Sequence, residues 1–206
     1  MQDTLSTTEA TIRVVDDDPA FRKSLRWLLE SAGLNVRTFA SAPEFLKGDD
    51  PDRPGCLLLD IRMPGMGGLE LQQQLQQSGT HIPVIIITAH GDVPAAVRAM
   101  KSGALDFLEK PLDDQHLLDQ IRRAVDADIA RRERLAEQSE LDRKRSRLTA
   151  REREVMELVV LGRSSREIGD DLGVSFKTIA AHRSKIMSKM GASSVAQLIQ
   201  VNLGDR

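Results

Sequence analysis

Residues 82–88 read IPVIIIT, a short run of mostly β-branched side chains in which apolar residues follow one another without alternation. Comparable runs lie at 11–16 (TIRVVD), 35–39 (NVRTF), 56–60 (CLLLD) and 105–108 (LDFL). Continuous apolar runs of this length are typical of strands in a parallel sheet that is buried on both faces. The sequence therefore predicts five parallel strands.

Helical patterns separate these runs. Apolar residues recur at helical spacing in four groups: Phe21, Leu25, Leu28 and Leu29; Leu69, Leu71 and Leu75; Val93, Val97 and Met100; and Leu117, Ile121 and Val125. Strand and helix in alternation predict a doubly wound α/β domain with a five-stranded parallel sheet. We expect the stripe of Val93, Val97 and Met100 to face the core, and Trp27 to be a core or packing residue.

The second half of the chain predicts helices only. Residues 126–146 are rich in charged, helix-favouring side chains, so the last helix of the α/β domain is expected to run on into a solvated helical linker. Two capping boxes follow, Thr149 with Glu152 and Ser164 with Glu167, and each places the start of a helix. We therefore predict an α/β domain at 10–125 and a smaller all-α domain at 147–206.

Composition excludes several classes of protein. The 206 residues allow one large or two small domains, and 40% hydrophobic with 29% charged residues is ordinary for globular domains. The apolar stretch at 84–89 is far shorter than the roughly 20 residues of a membrane-spanning helix, and residues 1–10 lack the features of a secretory signal. With a single cysteine, Cys56, the chain is expected to be cytoplasmic and without membrane partners.

Charge is distributed unevenly. Residues 1–125 hold 13 Lys and Arg against 18 Asp and Glu, whereas residues 126–206 hold 16 against 13. Within 174–203 there is no acidic residue, and the basic residues are Lys177, Arg183, Lys185 and Lys189. This basic patch favours contacts to nucleic-acid phosphates, at most four of them from each chain.

Polar side chains suited to phosphoryl chemistry follow the predicted strands: Asp16 and Asp17 after the first, Asp60 and Thr88 at the ends of the third and fourth, and Lys110 after the fifth. Open parallel sheets bind ligands at these carboxyl ends. Converging carboxylates need a cation, and oxygen ligands with room for water suit Mg²⁺. The metal and Lys110 would neutralise phosphoryl oxygens, Thr88 would donate a hydrogen bond, and Asp60 would be the nucleophile.

Three stretches carry a family resemblance: VVDDDP at 14–19, LLLDIRMPGMGG at 57–68, and ITAHGDVPAAVRAMKSGALDFLEKP at 87–111. They closely resemble the receiver domain of bacterial two-component response regulators, the FixJ branch in particular. The resemblance implies a flavodoxin-like fold, phosphorylation of Asp60 by a sensor histidine kinase, and binding of the phosphoryl group by Thr88 and Lys110. The implied Mg²⁺ ligands are Asp16, Asp17, Asp60 and the backbone carbonyl of Arg62.

The receiver resemblance also implies a switch and a dimer. Phe107 would be the switch aromatic that follows Thr88 inward, and the Lys110–Pro111 bond would be cis. Phosphorylation would favour a homodimer through the fourth helix and fifth strand, with Arg98 and Lys101 facing acids such as Asp106 and Glu109 across a two-fold axis. We also expect His90, at the mouth of the cleft, to tune the access of water together with Arg62.

Residues 148–162 (LTAREREVMELVVLG) and 164–192 (SSREIGDDLGVSFKTIAAHRSKIMSKMGA) resemble the LuxR-type helix-turn-helix domain. The resemblance implies a transcription activator whose partners are promoter DNA and RNA polymerase. Its third helix would enter the major groove, with DNA contacts from Lys177, Thr178, Ala180, Ala181, His182, Arg183, Ser184, Lys185 and Lys189. Because Ala180 and Ser184 cannot make bidentate base contacts, affinity should rest mainly on phosphates.

Two other functions fit parts of the pattern. A phosphohydrolase of the haloacid dehalogenase kind also uses an Asp nucleophile and Mg²⁺, but it needs a second Asp two residues later, where this chain has Arg62. We therefore do not expect an enzyme. A receiver whose output is protein binding is the other alternative, against which the acid-free stretch at 174–203 favours DNA.

Overall fold

Among the residues that the structure describes, five strands in the first half of the chain form one parallel sheet. They are β1 (Thr11–Val15), β2 (Asn35–Phe39), β3 (Gly55–Asp60), β4 (Val84–Thr88) and β5 (Asp106–Glu109), in the spatial order β2-β1-β3-β4-β5. β1, β3 and β4 are buried along their whole length, which is why most of their side chains are apolar. One exception is the buried Arg13 of β1, whose guanidinium donates to Asp49 at 2.6 Å. The predicted doubly wound α/β fold is confirmed.

This computed structural model describes residues 10–89 and 93–203. The chain divides into two units, the first ending at Arg132 and the second beginning at Glu133. His90 lies outside the described residues, so its effect on water access stays a prediction. None of the helices in the described part of the chain combines the length and apolar character that a membrane crossing needs.

Helices cover both faces of the sheet. They are α1 (Pro19–Ser31), α2 (Ala42–Gly48), α3 (Gly68–Gln77), α4 (Val93–Lys101) and α5 (Asp114–Ser146). On one face, Leu25 of α1 and Leu117 of α5 pack with the first core cluster of the sheet. On the other face, α2, α3 and α4 pack with the second cluster through Phe45, Leu71 and Ala99.

The orientation predicted for α4 is wrong. Ala95 and Ala99 are its buried residues, whereas Val93, Val97 and Met100 are 77%, 45% and 47% exposed. Small alanine side chains let the helix approach the sheet closely, and this leaves the larger apolar stripe outside. A stripe at helical spacing shows that one face is apolar, but it does not show what covers that face.

The prediction that Trp27 is a core or packing residue is also wrong, because its side chain on α1 is 72% exposed. Leu25 and Leu29 are the buried residues of this helix. The apolar periodicity of α1 is satisfied by these two leucines, so the indole between them projects away from the sheet.

A buried ionic cluster lies at the amino ends of the strands. Asp128 is fully buried and accepts hydrogen bonds from the Gly55 amide, from Arg131 at 2.6 Å and from Arg132 at 2.8 Å. Arg132 also donates to two carbonyl oxygens of the loop before β3. The start of the range predicted as a solvated linker is therefore packed against the sheet domain.

In the described part of the second unit, four further helices follow: α6 (Ala150–Val160), α7 (Ser165–Leu172), α8 (Phe176–Met190) and α9 (Val195–Leu203). Both predicted capping boxes are present, at the starts of α6 and α7. Gly173 ends α7 in the left-handed conformation with φ +66°, and the Ser175 hydroxyl caps α8. Ile179, Ile186 and Met190 of α8 are buried.

Candidate functional site

Two acids and a lysine meet at the carboxyl ends of β1, β3 and β5. The Lys110 ammonium donates to Asp16 Oδ2 at 2.6 Å and to Asp60 Oδ1 at 3.1 Å. Asp16 and Asp60 are 2% and 6% exposed, so both carboxylates are taken largely out of water. These residues are far apart in sequence, and it is the parallel register of the strands that brings them together.

The electrostatics of this cleft follow from burial and pairing. Burial raises the pKa of Asp60 above its ordinary value, and the neighbouring charge of Asp16 adds to this, although Lys110 and the Arg62 amide lower it. Burial alone would disfavour a charged lysine, but the hydrogen bonds and charges of Asp16 and Asp60 leave the pKa of Lys110 raised. Lys110 therefore remains a cation that compensates the two acids.

Backbone amides hold the free carboxylate oxygens. The amide of Asp18 donates to Asp16 Oδ1 at 2.8 Å, and the amide of Arg62 donates to Asp60 Oδ2 at 2.6 Å. The loop after β3 can close on Asp60 because Gly68 begins α3 there. A Cβ at position 68 would lie 2.1 Å from the Asp60 carbonyl oxygen, which no other residue could accept without a backbone shift.

The start of α1 supports the acids from the other side. Asp18 caps this helix through the Ala20 amide, and Arg22 donates to the Asp16 carbonyl oxygen at 2.6 Å. The Phe21 ring lies against Lys110, whose Nζ is 3.7 Å from the ring centroid. The sequence predicts Phe21 only as part of the apolar stripe of a helix. No local pattern could have shown that its ring contacts Lys110.

The other predicted cleft residues are placed as follows. Thr88 is buried at the end of β4, and its carbonyl oxygen accepts from the Lys110 amide at 2.8 Å. Phe107 is half-buried and packs against the second core cluster. Asp17 is exposed beside Asp16, and Arg62 is also exposed. The Lys110–Pro111 bond is cis, as the sequence resemblance implies.

Mg²⁺ needs few protein ligands. Within residues 10–89 and 93–203, no group of three or more His, Cys, Asp or Glu side chains is arranged to hold a metal ion. However, magnesium usually keeps several waters and takes only one or two carboxylates together with phosphate oxygens. Asp16 and Asp60 are two adjacent carboxylates with hard oxygen donors, so this donor set fits Mg²⁺.

The exposed face of α8 forms a second candidate site in the C-terminal unit. Lys177, Thr178, Ala180, Ala181, Ser184 and Lys185 are exposed, whereas His182, Arg183 and Lys189 are half-buried. Phe176, at the start of the same helix, is 63% exposed, although it is not among the DNA-contacting residues predicted from the sequence. The exposed face of α8 therefore presents the short side chains of Ala180, Ala181 and Ser184, with Lys177 and Lys185 on either side in sequence.

Lys189 differs from the other basic residues of α8. Its ammonium donates to Glu152 Oε2 at 2.6 Å, and Glu152 itself is nearly buried at the start of α6. The hydrogen bonds from Lys189 and from the Thr149 amide lower the pKa of Glu152 to about 2. The DNA contact predicted for Lys189 stays a prediction, and it has to compete with this ion pair.

Comparison with known families covers both units. Residues 12–122 match the response regulator receiver domain, and residues 146–202 match the bacterial regulatory proteins of the luxR family.

Full-length relatives resemble the whole chain. Nodulation protein W of Bradyrhizobium diazoefficiens is 43% identical over 97% of this chain and 88% of its own length. The transcriptional regulatory protein FixJ of Azorhizobium caulinodans is 43% identical over 93% of this chain and 91% of its own length. The solved structure of the response regulator StyR superposes with a TM-score of 0.89 at 44% identity, over 95% of this chain and 98% of that one.

Proposed function

Because this chain belongs to the response regulators that join a receiver domain to a LuxR-type DNA-binding domain, and is thus a phosphorylation-controlled transcription regulator, we propose that Asp60 is its phosphoryl acceptor. The observation that carries this proposal is the shared lysine: one ammonium binds Asp60 and Asp16 at the carboxyl edge of the sheet. We propose domain limits of 10–125 and 147–206 with a helical linker at 126–146, the first residues of which, through Asp128 and Arg132, are packed against the sheet domain.

The proposed reaction is a transfer from a phosphohistidine of a sensor kinase. An Asp60 carboxylate oxygen forms a bond to phosphorus while the phosphorus–nitrogen bond breaks, and the electron pair leaves with the imidazole of the donor. The Lys110 ammonium, already beside Asp60 Oδ1, neutralises charge on the phosphoryl oxygens. The Thr88 hydroxyl would donate to the same group, and Phe107 would follow it inward.

Magnesium would be held by Asp16, Asp17, Asp60 and the backbone carbonyl of Arg62. Bound there, it supplies positive charge to the phosphoryl oxygens. The protein prepares this site by burying Asp16 and Asp60 beside Lys110, whose single positive charge offsets only one of the two carboxylates, so that a further cation is favoured there.

A persistent acyl phosphate suits a switch. Position 62, two residues after Asp60, would hold the general acid of a haloacid-dehalogenase-like phosphohydrolase, and here it is an exposed arginine. With no acid at that position, we propose that the phosphoryl group is retained rather than turned over, so the protein is not an enzyme. We also propose that the protein lies in the cytoplasm, because that is where it would meet promoter DNA and the kinase domain that phosphorylates it.

The proposed output is a dimer that binds promoter DNA and activates transcription by RNA polymerase. The exposed stripe of Val93, Val97 and Met100, with Leu105 at 42% exposure beside it in sequence, is an apolar surface that a second receiver could cover. Arg98 and Lys101 lie among these residues, and both are exposed. The outward α4 stripe thus supports the dimer better than the inward stripe expected from sequence.

The assignment of Asp60 is tested by phosphorylation with acetyl phosphate and Mg²⁺, followed by intact mass. Wild type should gain one phosphoryl group, and Asp60→Asn should gain none. Asp52→Asn, which changes an exposed acid in the loop before β3, should behave as wild type. Phosphorylated wild type should then bind duplex DNA more tightly than Asp60→Asn treated in the same way. Equal labelling of Asp60→Asn and wild type would exclude Asp60 as the acceptor.

A further inference from the structure

We propose that Phe21 is a positioning residue for phosphoryl transfer, because its ring holds the Lys110 ammonium at Asp60. The kinetic consequence rests on the proposed function of Asp60, whereas the contact itself does not. Phe21 does not touch the reacting atoms; it acts through Lys110.

The ammonium of Lys110 is enclosed on three sides. Two of its sides are taken by Asp16 Oδ2 at 2.6 Å and Asp60 Oδ1 at 3.1 Å, and the Phe21 ring centroid lies 3.7 Å away on another. Only 17% of the Lys110 side chain is exposed, so little water competes for the cation. A cation over an aromatic face is attracted by the ring quadrupole, and this attraction is stronger where water is excluded.

The position of the ring is set by its neighbours in α1. Asp18 caps the helix, and its amide donates to Asp16 Oδ1, while Arg22 donates to the Asp16 carbonyl oxygen. The residues on both sides of Phe21 are thus tied to the residue that binds Lys110. Phe21 is also partly buried against the first core cluster, so packing limits the movement of its ring.

The contact with Phe21 matters because the four-carbon stem of a lysine is flexible and its ammonium is strongly hydrated. Without the ring, the ammonium could turn toward water, and fewer molecules would hold it beside Asp60 when a phosphoryl group arrives. Fixed placement of a charge before the reaction lowers the barrier, since no reorganisation is then required. The ring should therefore affect the rate of transfer more than the binding of the donor.

The test compares Phe21→Leu, which keeps apolar bulk but removes the π face, with Phe21→Tyr, which keeps the π face. Full-length protein is phosphorylated with acetyl phosphate over a range of concentrations at fixed Mg²⁺, and the rate is followed by intact mass. Phe21→Leu should lower the maximal rate about three- to tenfold with little change in the half-saturating donor concentration. Phe21→Tyr should restore the wild-type rate.

Packing alone predicts a different pattern, in which leucine is tolerated and rates follow stability. Urea unfolding of both variants separates the two, because a slow variant with wild-type stability has lost positioning rather than fold. A wild-type rate in Phe21→Leu, or a rate in Phe21→Tyr as low as that of Phe21→Leu, overturns the proposal.

A spectroscopic measurement decides the contact without any phosphorylation. Protons at the end of the Lys110 side chain should show upfield ring-current shifts in NMR spectra of the wild type, lose them in Phe21→Leu and keep them in Phe21→Tyr. Unshifted protons in the wild type refute the contact. Failure of wild type to accept a phosphoryl group would instead refute the role of Asp60, with the NMR result still standing.

Discussion

Lys185→Ala and Lys189→Ala should have different effects on DNA binding, although each removes one positive charge from α8. Lys185 is exposed, whereas the Lys189 ammonium is bound to the nearly buried Glu152. Each phosphate neutralised on duplex DNA contributes about −0.9 to the slope of log K against log salt. Lys177, Arg183 and Lys185 give six contacts in a dimer, so the limiting slope is about −5 rather than the roughly −7 expected for all four basic residues.

The slope of log K against log salt then distinguishes the two substitutions. Lys185→Ala removes two contacts from the dimer and should reduce the slope to about −3.5, while Lys189→Ala should leave it near −5. Binding of the phosphorylated full chain to one duplex is measured by fluorescence anisotropy at a series of salt concentrations. Circular dichroism checks that the loss of the Glu152 partner has not unfolded the C-terminal helices.

Equal reductions of the slope by Lys185→Ala and Lys189→Ala would refute this reasoning. In that case Lys189 exchanges its carboxylate for a phosphate on DNA, and the ion pair seen in the free protein does not limit its contacts. A slope unaffected by Lys185→Ala would mean that the exposed face of α8 does not lie against DNA.

Three further outcomes follow from buried or exposed groups. Val97→Asp should raise the dissociation constant of the phosphorylated dimer at least about tenfold in sedimentation experiments, because it places a charged, hydrated group in the middle of the apolar stripe of α4. Trp27→Asp, on α1, should leave this constant unchanged. Asp128→Ala should lower the free energy of unfolding by about 3 kcal/mol in urea denaturation, since it removes the acceptor of the buried Gly55 amide and the carboxylate partner of Arg131 and Arg132. The exposed Asp126→Ala should cost less than about 0.5 kcal/mol. The depressed pKa of Glu152, about 2 against an ordinary 4.5, stabilises the fold above pH 4.5, and that contribution is lost as the pH falls toward 2. Acid titration followed by circular dichroism should therefore destabilise wild type more than Glu152→Gln over this range; equal losses would contradict the assignment.

Local pattern alone was sufficient for the strands, the helix starts and the acids of the cleft. Burial on both faces makes β1, β3 and β4 mostly apolar, so the sequence shows where these strands end and places Asp16, Asp60 and Thr88 at or directly after those ends. Capping at Thr149 and Ser164 is equally local, because donor and acceptor are three residues apart. Such features depend on neighbours in sequence, which is the information that a sequence displays directly.

The tertiary structure decided which groups are paired and which faces are covered. The spacing of apolar residues could not show that the α4 stripe faces outward. Which face of α4 is buried depends on the packing of Ala95 and Ala99 in the folded domain. The partners of Lys189, Asp128 and Lys110 lie 37, 73 and 94 positions away, at Glu152, Gly55 and Asp16. A charge or a ring finds such a partner only when the chain is folded, since the contact results from the packing of whole elements and not from the residues that flank it.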